Sequence, residues 1–433
     1  MAAAFPIMIF AARPDFSEIE RRPLTSFPEF TLKRISSGDF TRELNLFFSD
    51  TVPMRDSLAG MSSLIKSRLG FSVDGVTLHD VQLTVDNEQS EADNEPTDGQ
   101  IGEIALDNPE PAQLWDGVID VSANAVDEAA DEAVELSSAG VLVYRNRALM
   151  LIGWVSSAGE RYADVVSEYS RRLDGVDVYS MVIPSAIEFY CPKNYLSHYN
   201  IDQRASINNI NAHLSNVTPV NVYSSLAERV AAGDDIFFRT DHHWAPLGAF
   251  YAAEQFAQSA GVPFATLSDY QKVVIPGYVG TMYGYSGRNP DILNNPEDFV
   301  YFKPINDNYT STYYITHEGY NPEAPVPAPL FIEQPLSESY SIFLGSDARI
   351  THISTNVDNS RKLAVFKDSF GNALIPFLTA SFEEIYVIDI RYFPYNAIDY
   401  LAEKGITDVL FANNIAMAND GYFITTIENL MNN

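Results

Sequence analysis

The chain has 433 residues, 46% of them apolar, and sets 27 basic side chains against 58 acidic ones for a formal charge of −31. That apolar content supports a sizeable core and excludes a largely disordered chain. The charge excludes a nucleic-acid partner, because nothing neutralises a phosphate backbone, and it opposes adsorption to an anionic lipid surface.

The first twelve residues, MAAAFPIMIFAA, are apolar but lack a basic leading region. They fall well short of the roughly 20 residues a membrane span needs. Residues 1–14 therefore read as the remnant of a signal or anchor segment, or as a small apolar strand. Residues 15–85 form an entry segment with a helical pattern from Asp15 to Gly70. It runs from FSEIERRPL through Leu44, Phe47 and Phe48 to Leu58, Met61, Leu64 and Ile65 at three- and four-residue spacing. No Lys or Arg occurs between Arg68 and Arg145, while Asp and Glu crowd residues 86–137. Like charges without aromatic residues repel and cannot offset their ordering entropy, so this stretch reads as a flexible acidic insertion. A calcium loop is the rival reading, but the D-x-[DN]-x-[DN]-G spacing is missing.

From residue 138 the pattern becomes regular. GVLVYRNRALMLIG reads as a hairpin, RYADVVSEYSRRLDG as a helix and DVYSMVIPS as a buried strand. NVYSSLAERVAAG reads as a helix, DIFFRT as a strand and PLGAFYAAEQFAQSAG as a helix with Pro246 in its first turn. Tyr-, Pro- and Asn-rich sequence from Ala260 to Leu344 predicts loops around a site or a small β insertion. RKLAVFKDS, EIYVIDI and TDVLFANN then predict strands, with GNALIPFLTA and NAIDYLAEKG as helices between them. Strands alternating with helices predict an α/β core over 138–433 with a largely parallel sheet. The single cysteine, Cys191, permits neither an internal disulfide nor a cysteine-built metal site, and reads as a small buried hydrophobe.

Ligands of open α/β sheets bind at the carboxyl ends of strands. Two such junctions carry reactive side chains. In FFRT-DHHW-APLG, strand alternation puts Asp241 and His243 on one side and His242 elsewhere. A carboxylate beside an imidazole suits a general base. The same three residues are also metal-ligand types, and a capped helix start with a core histidine is a third reading. In VFKDS-FGNAL, Ser369 sits where a strand turns into a predicted helix. There its own N–H and the helix dipole favour a developing oxyanion, although Ser at a helix N-cap is also common. Gly371 and Asn372 allow a tight turn and a further donor. Asp368 reads as a structural acceptor.

Together, RTDHHWAPLGAFYAAEQF and VFKDSFGNALIPFLTASFEEIYVIDIRYF resemble the DHHW family of bacterial exported proteins, which is similar to the SGNH-hydrolase-like proteins of alginate O-acetylation. FSEIERRPL, SGDF, SDTVPMRDSL and GYVGTMYGYSG carry the resemblance further, and the acidic insertion departs from it. The resemblance implies a flavodoxin-like three-layer α/β/α SGNH-hydrolase fold. It also implies a triad of Ser369, His243 and Asp241, with the acid–base pair ahead of the serine in the chain. The Gly and Asn that complete an SGNH oxyanion hole have no clear match, leaving Gly371, Asn372, Gly280 and Thr281 as candidates.

The implied activity is serine-dependent O-acetyl transfer or acetyl-ester hydrolysis on a polysaccharide. It needs no cofactor or metal and takes place outside the cytoplasm, beside a membrane-bound O-acyltransferase. Trp244, Tyr283, Tyr285, Tyr392 and Phe393 are candidates for a sugar platform, each with core packing as its alternative. Arg391 either anchors a substrate carboxylate or pairs with Asp389. A non-catalytic polysaccharide-binding scaffold on the same fold and a metal-dependent hydrolase using Asp241, His242 and His243 are the competing functions.

Overall fold

The computed structural model describes residues 140–192, 202–306, 309–314, 325–334, 336–345 and 348–432, with short pieces at 16–17, 22–23, 27, 47 and 135–136. The 1–14 segment, almost all of the acidic insertion and most of the helical entry segment lie outside the described residues. Within the entry segment, Phe16–Ser17 pairs antiparallel with Arg22–Pro23 where a helix is expected. A proline carries no amide hydrogen for a helix interior, which favours the extended pairing. At the far edge of the insertion, Glu135–Leu136 pairs with the first strand of the core.

That strand, β1 (Val141–Tyr144), forms the expected hairpin with β2 (Arg147–Met150). Arg145 and Asn146 between them both have positive φ, 47° and 59°. Two such residues make a two-residue turn whose twist matches the strands it joins. Helix α1 (Ser156–Arg172) buries Tyr162, Val165, Val166 and Tyr169 at helical spacing, while Arg171 and Arg172 in its last turn reach Glu168.

The central sheet is built from β3 (Asp177–Ile183), β4 (Thr218–Pro219), β7 (Tyr309–Tyr314), β8 (Val326–Pro327), β9 (Ile350–Thr355), β10 (Lys362–Lys367), β11 (Glu384–Asp389) and β12 (Asp408–Asn414). A separate antiparallel ribbon pairs β5 (Tyr270–Tyr278) with β6 (Glu297–Pro304). Helices α2 (Gln203–His213), α3 (Val222–Ala231), α4 (Pro246–Ala260), α5 (Ala397–Lys404) and α6 (Gly421–Leu430) complete the frame. The strand order is β8-β7-β9-β11-β10-β12-β3-β4. The run from β11 to β4 is parallel, whereas β9, β7 and β8 join antiparallel at one side, so the sheet is mixed where a largely parallel one is expected.

Side-chain alternation makes the parallel run two-sided. Leu363 and Val365 of β10 pack into one cluster with Leu226 and Val230 of α3 and Phe256 of α4. Ala364 and Phe366 pack into another with Tyr162 and Tyr169 of α1 and Ile424 and Ile427 of α6. A strand covered on both faces must be apolar throughout, which is why β10 and β12 read as unbroken hydrophobic runs.

Two predicted elements are replaced. DIFFRT forms only an isolated bridge, Phe237 to Trp244, closing a bent loop. GNALIPFLTA is a single 3₁₀ turn (Ser369–Ala373) followed by one helical turn (Ile375–Leu378). Pro376 explains the break, because in a continuous helix its ring would collide with the carbonyl four residues back, at Asn372. Among the described residues, no helix is long and apolar enough to cross a membrane.

Candidate active site

The loop carrying Asp241 is held by two strands, β2 and β6, before any chemistry is considered. Ala148 of β2 donates its amide to the Arg239 carbonyl. The buried Arg147 guanidinium donates to the Phe237 and Phe238 carbonyls at 3.1 and 2.9 Å. Glu297 accepts the Arg239 and Thr240 amides and the Thr240 hydroxyl at 2.6–2.9 Å. The bends between the bridge partners bring Asp241 Oδ1 back to the His243 amide at 3.0 Å, the local turn that Asp side chains favour. The same oxygen lies 2.6 Å from His243 Nδ1. Asp241 and His243 therefore meet through a side-chain-closed turn, in a segment that is bent where the strand reading has it extended.

On the other side of the imidazole, His243 Nε2 lies 2.8 Å from Ser369 Oγ. Ser369 opens the 3₁₀ turn at the end of β10, and Asp368 caps that turn by accepting the Phe370 amide at 2.8 Å. The second oxygen of Asp368 accepts the Asn414 amide at the end of β12, at 2.7 Å. Asp368 is thus a structural acceptor joining two strand ends. Gly371 is needed for close approach, since a Cβ there would stand 2.5 Å from the Cβ of Lys367.

Asp241 is 2% exposed, and its carboxylate is saturated. Oδ2 accepts the Tyr278 hydroxyl at 2.9 Å and both the Thr281 amide and hydroxyl at 3.0 Å. Burial alone would raise this acid. The charges of His243 and His242, the His243 hydrogen bond and the Thr281 amide outweigh it and hold the carboxyl well below its ordinary value. Gly280 lets the Thr281 loop come this close, because a Cβ at 280 would lie 2.5 Å from Asp241 Oδ2.

The oxyanion candidates have other work. The Gly280 amide donates to Thr240 Oγ1 at 3.1 Å, the Thr281 amide to Asp241, and the Gly371 amide to the Asp368 carbonyl at 3.1 Å. Asn372 is buried in the 3₁₀ turn. The Gly280, Thr281 and Gly371 amides shape the loop and the turn, because a donor bonded within the protein is not available to a developing charge.

His242 does not diverge from its neighbour as expected. The two imidazole centroids are 3.8 Å apart, and His242 Nδ1 lies 2.8 Å from Thr281 Oγ1. Burial and then His243 push its pKa down to about 3, with Asp241 offsetting only part. One ligand atom from each of Asp241, His242 and His243 falls within 4.8 Å of the others, the metal-ligand cluster found among the described residues. The five donors on Asp241 and the double engagement of His243 use the lone pairs a metal would require. This is the geometry of a hydrogen-bonded relay.

Trp244, a candidate for a sugar platform, is instead fully buried, and its indole N–H donates to the Phe370 carbonyl at 3.0 Å. An indole N–H in a dry interior needs such an acceptor, and here it anchors the turn bearing Ser369. Phe393 is also buried. Tyr283 and Tyr285 are half-buried against Val141, Val143 and Met282. Tyr392 is exposed. Arg391 grips Asp389 with Nε and Nη2 at 2.9 and 2.7 Å and lines the same cavity as Ser369.

That cavity, of about 170 Å³, is walled by Ala148, Met150, Ile187, Met282 and Met417, with Ser369, His242 and Asn414 at its polar side.

Two residues escape a reading by motif. Tyr340 stacks its ring on His243, 3.7 Å between centroids and 7° from parallel. Its hydroxyl donates to the Ser369 and Phe370 carbonyls, each at 3.1 Å. Nothing local in SESYSIF signals this role. Tyr278 is foreshadowed only by its place two residues before Gly280.

Bacillus cereus PatB1 carrying a sulfonyl adduct is similar in structure, with 19% identity, 67% of this chain and 99% of that one covered, and a TM-score of 0.56; it shows a shared fold. The O-acetyltransferase domain of Pseudomonas putida AlgJ aligns over 69% of this chain and 99% of its own, at 12% identity and a TM-score of 0.32. No curated protein matches the chain. A DHHW family protein from Eubacterium siraeum, known from a crystal structure, is 38% identical over 69% of this chain and 98% of its own, with a TM-score of 0.62. The DHHW protein family matches residues 20–388. The chain belongs to the DHHW family.

Proposed function

We propose that the protein is an exported serine-dependent acyltransferase or esterase that moves acetyl groups on a polysaccharide through an acyl-Ser369 intermediate. The observation that carries this reading is the unbroken contact Asp241–His243–Ser369, at 2.6 and 2.8 Å, opening on an apolar cavity. Asp241 fixes the imidazole with a proton on Nδ1 and leaves Nε2 to take the Ser369 proton. Ser369 Oγ then attacks the ester carbonyl, and His243 returns the proton to the departing alcohol. A second alcohol or a water repeats the sequence in reverse to release the acyl group. The methionine- and alanine-lined wall suits an acetyl methyl group. The Phe370 and Gly371 amides are committed to Asp368, so the oxyanion donor we assign is the amide of Ser369 itself.

Strand order adds support. Counted from the strand that ends at Ser369, the parallel run β11-β10-β12-β3-β4 reads 2-1-3-4-5, the flavodoxin-type order. Ser369 after β10 and Asn414 after β12 then flank the switch point, where such sheets bind ligands. The chain meets this frame from a different starting strand, which places the acid–base pair ahead of the nucleophile. Polysaccharide as substrate, export and a membrane-bound acyl donor enter from the family resemblance.

The test is to treat the protein with p-nitrophenyl acetate, quench, and map the acetyl group by mass spectrometry of peptides, with a sulfonyl fluoride as competing label. Both labels are expected on Ser369, each blocking the other. Absence of label, or label elsewhere, refutes the serine mechanism and favours a binding scaffold.

A second expectation concerns Gly280→Ala. The added Cβ must push the Asp241 carboxylate aside, and displacement on the order of 1 Å at such a site costs about 100-fold in rate. Steady-state kinetics should show the loss in kcat with KM little changed. An unaltered kcat would mean that the acid is not held by this loop.

A further inference from the structure

His242 is used neither by the triad nor by the core, and its proton can be placed. Asp241 is ionised and can only accept, so the Thr281 hydroxyl at 3.0 Å from Oδ2 must donate to it. Thr281 Oγ1 therefore accepts from His242, and the proton of His242 sits on Nδ1, at 2.8 Å. Its Nε2 is then a bare lone pair. Among the described residues that nitrogen has no hydrogen-bond partner, the side chain is 27% exposed, and the residue lines the cavity beside Ser369. The depressed pKa, about 3, keeps the ring neutral and accepting at any ordinary pH. A neutral imidazole that only accepts calls for a ligand that donates, as a hydroxyl does.

Building on the acyl-transfer reading above, we propose that His242 Nε2 is a second hydroxyl acceptor beside the general base, and that the acyl acceptor is a vicinal polyol such as a sugar ring. One hydroxyl gives its proton to His243 as its oxygen attacks the acyl-Ser369 carbonyl. The bond to Ser369 Oγ breaks, and that oxygen recovers the proton from His243. The neighbouring hydroxyl donates a hydrogen bond to His242 and keeps its own proton. The two ring centroids are 3.8 Å apart, His243 Nε2 lies at Ser369 Oγ and His242 lines the cavity beside it, so neighbouring hydroxyls of one sugar ring suit the pair. Water and a monohydric alcohol use only the His243 position, so His242 raises transfer to polyols relative to hydrolysis. It is a positioning and specificity residue.

The experiment measures the ratio of transfer to hydrolysis of the acetyl-enzyme, using p-nitrophenyl acetate as donor and glycerol as acceptor, with propan-1-ol as the monohydric control. Two variants separate the two ring nitrogens. His242→Asn places an amide N–H where Nδ1 stands and keeps the Thr281 bond but loses the cavity acceptor. His242→Gln places a carbonyl where Nε2 stands and keeps the cavity acceptor. The glycerol ratio is expected to fall by about tenfold or more in His242→Asn, to recover in His242→Gln, and the propan-1-ol ratio to be insensitive to either change. Acetyl-Ser369 detected by intact mass in each variant confirms a folded site. An unchanged glycerol ratio in His242→Asn, a loss confined to His242→Gln, or an equal loss with propan-1-ol overturns the inference. Failure of the native protein to form any acetyl-enzyme overturns the serine mechanism, and this inference with it. A normal acetyl-enzyme with an unchanged ratio overturns this inference alone.

Discussion

Ser369→Ala is expected to lower kcat for acetyl-ester turnover by about 10⁶-fold, with the burst of p-nitrophenol abolished. The serine hydroxyl is the atom that forms and breaks the acyl bond, and neither His243 nor Asp241 can replace it. The substitution removes one oxygen from a residue whose hydroxyl contacts only His243 among the described residues, while the turn is held by Asp368 and Trp244. Thermal stability should therefore move little, so a lost rate will report chemistry and not unfolding. Stopped-flow kinetics with intact-mass detection checks both halves. A variant as active as the native protein would exclude Ser369 as nucleophile.

Asp241→Asn is expected to lower kcat by about 10⁴-fold. Five hydrogen bonds converge on a carboxylate that only accepts. An amide has one accepting oxygen, so its NH₂ must face donors whichever way it turns. Facing His243, it drives the imidazole proton to Nε2, where it points at Ser369 and blocks proton removal. Facing Thr281 and Tyr278, it leaves buried donors unmet at a cost of about 1–3 kcal/mol each, so the variant should melt earlier as well. A kcat reduced less than tenfold would show that the carboxylate does not set the tautomer. Rate and melting temperature measured on the same preparation decide the matter.

Much of the fold was readable because one local rule sufficed for each element. The β1–β2 hairpin follows from alternating apolar residues around two that accept positive φ, and α1 and α4 from a helical stripe closed by basic residues or by Gly261. β10, β11 and β12 follow from apolar runs that only a doubly covered strand can hide. The readings that failed were those in which a neighbour outvoted the local pattern. DIFFRT has strand-forming residues, but Arg147 and Glu297 capture its backbone groups and bend it into a loop. GNALIPFLTA looks helical until Pro376 is given its steric due. Of the antiparallel strands at one side of the sheet, β7 comes from the Tyr-rich stretch and β9 reads ITHIST, with no clean apolar alternation.

The candidate site divides along the same line. The D-x-H spacing and the serine after a buried strand are visible in one dimension, because an Asp bonded to the backbone two residues on is a short-range device and a strand end is a short-range position. The 126-residue separation of His243 and Ser369 closes only in three dimensions, where Trp244 donates to the Phe370 carbonyl of the turn that bears Ser369 and Tyr340 stacks on His243 while donating to the same carbonyl. The same packing assigned Trp244 to the interior and brought Tyr340 onto His243 from a segment with no motif. It also spent the Gly280, Thr281 and Gly371 amides on the protein's own acceptors and left His242 with a single open lone pair. The sequence by itself determined which side chains could do chemistry, since reactivity and local turn preference belong to residue types. Only the tertiary structure decided which of them meet and which hydrogen-bonding capacity remains unspent, because every donor and acceptor buried in the core must first be satisfied there.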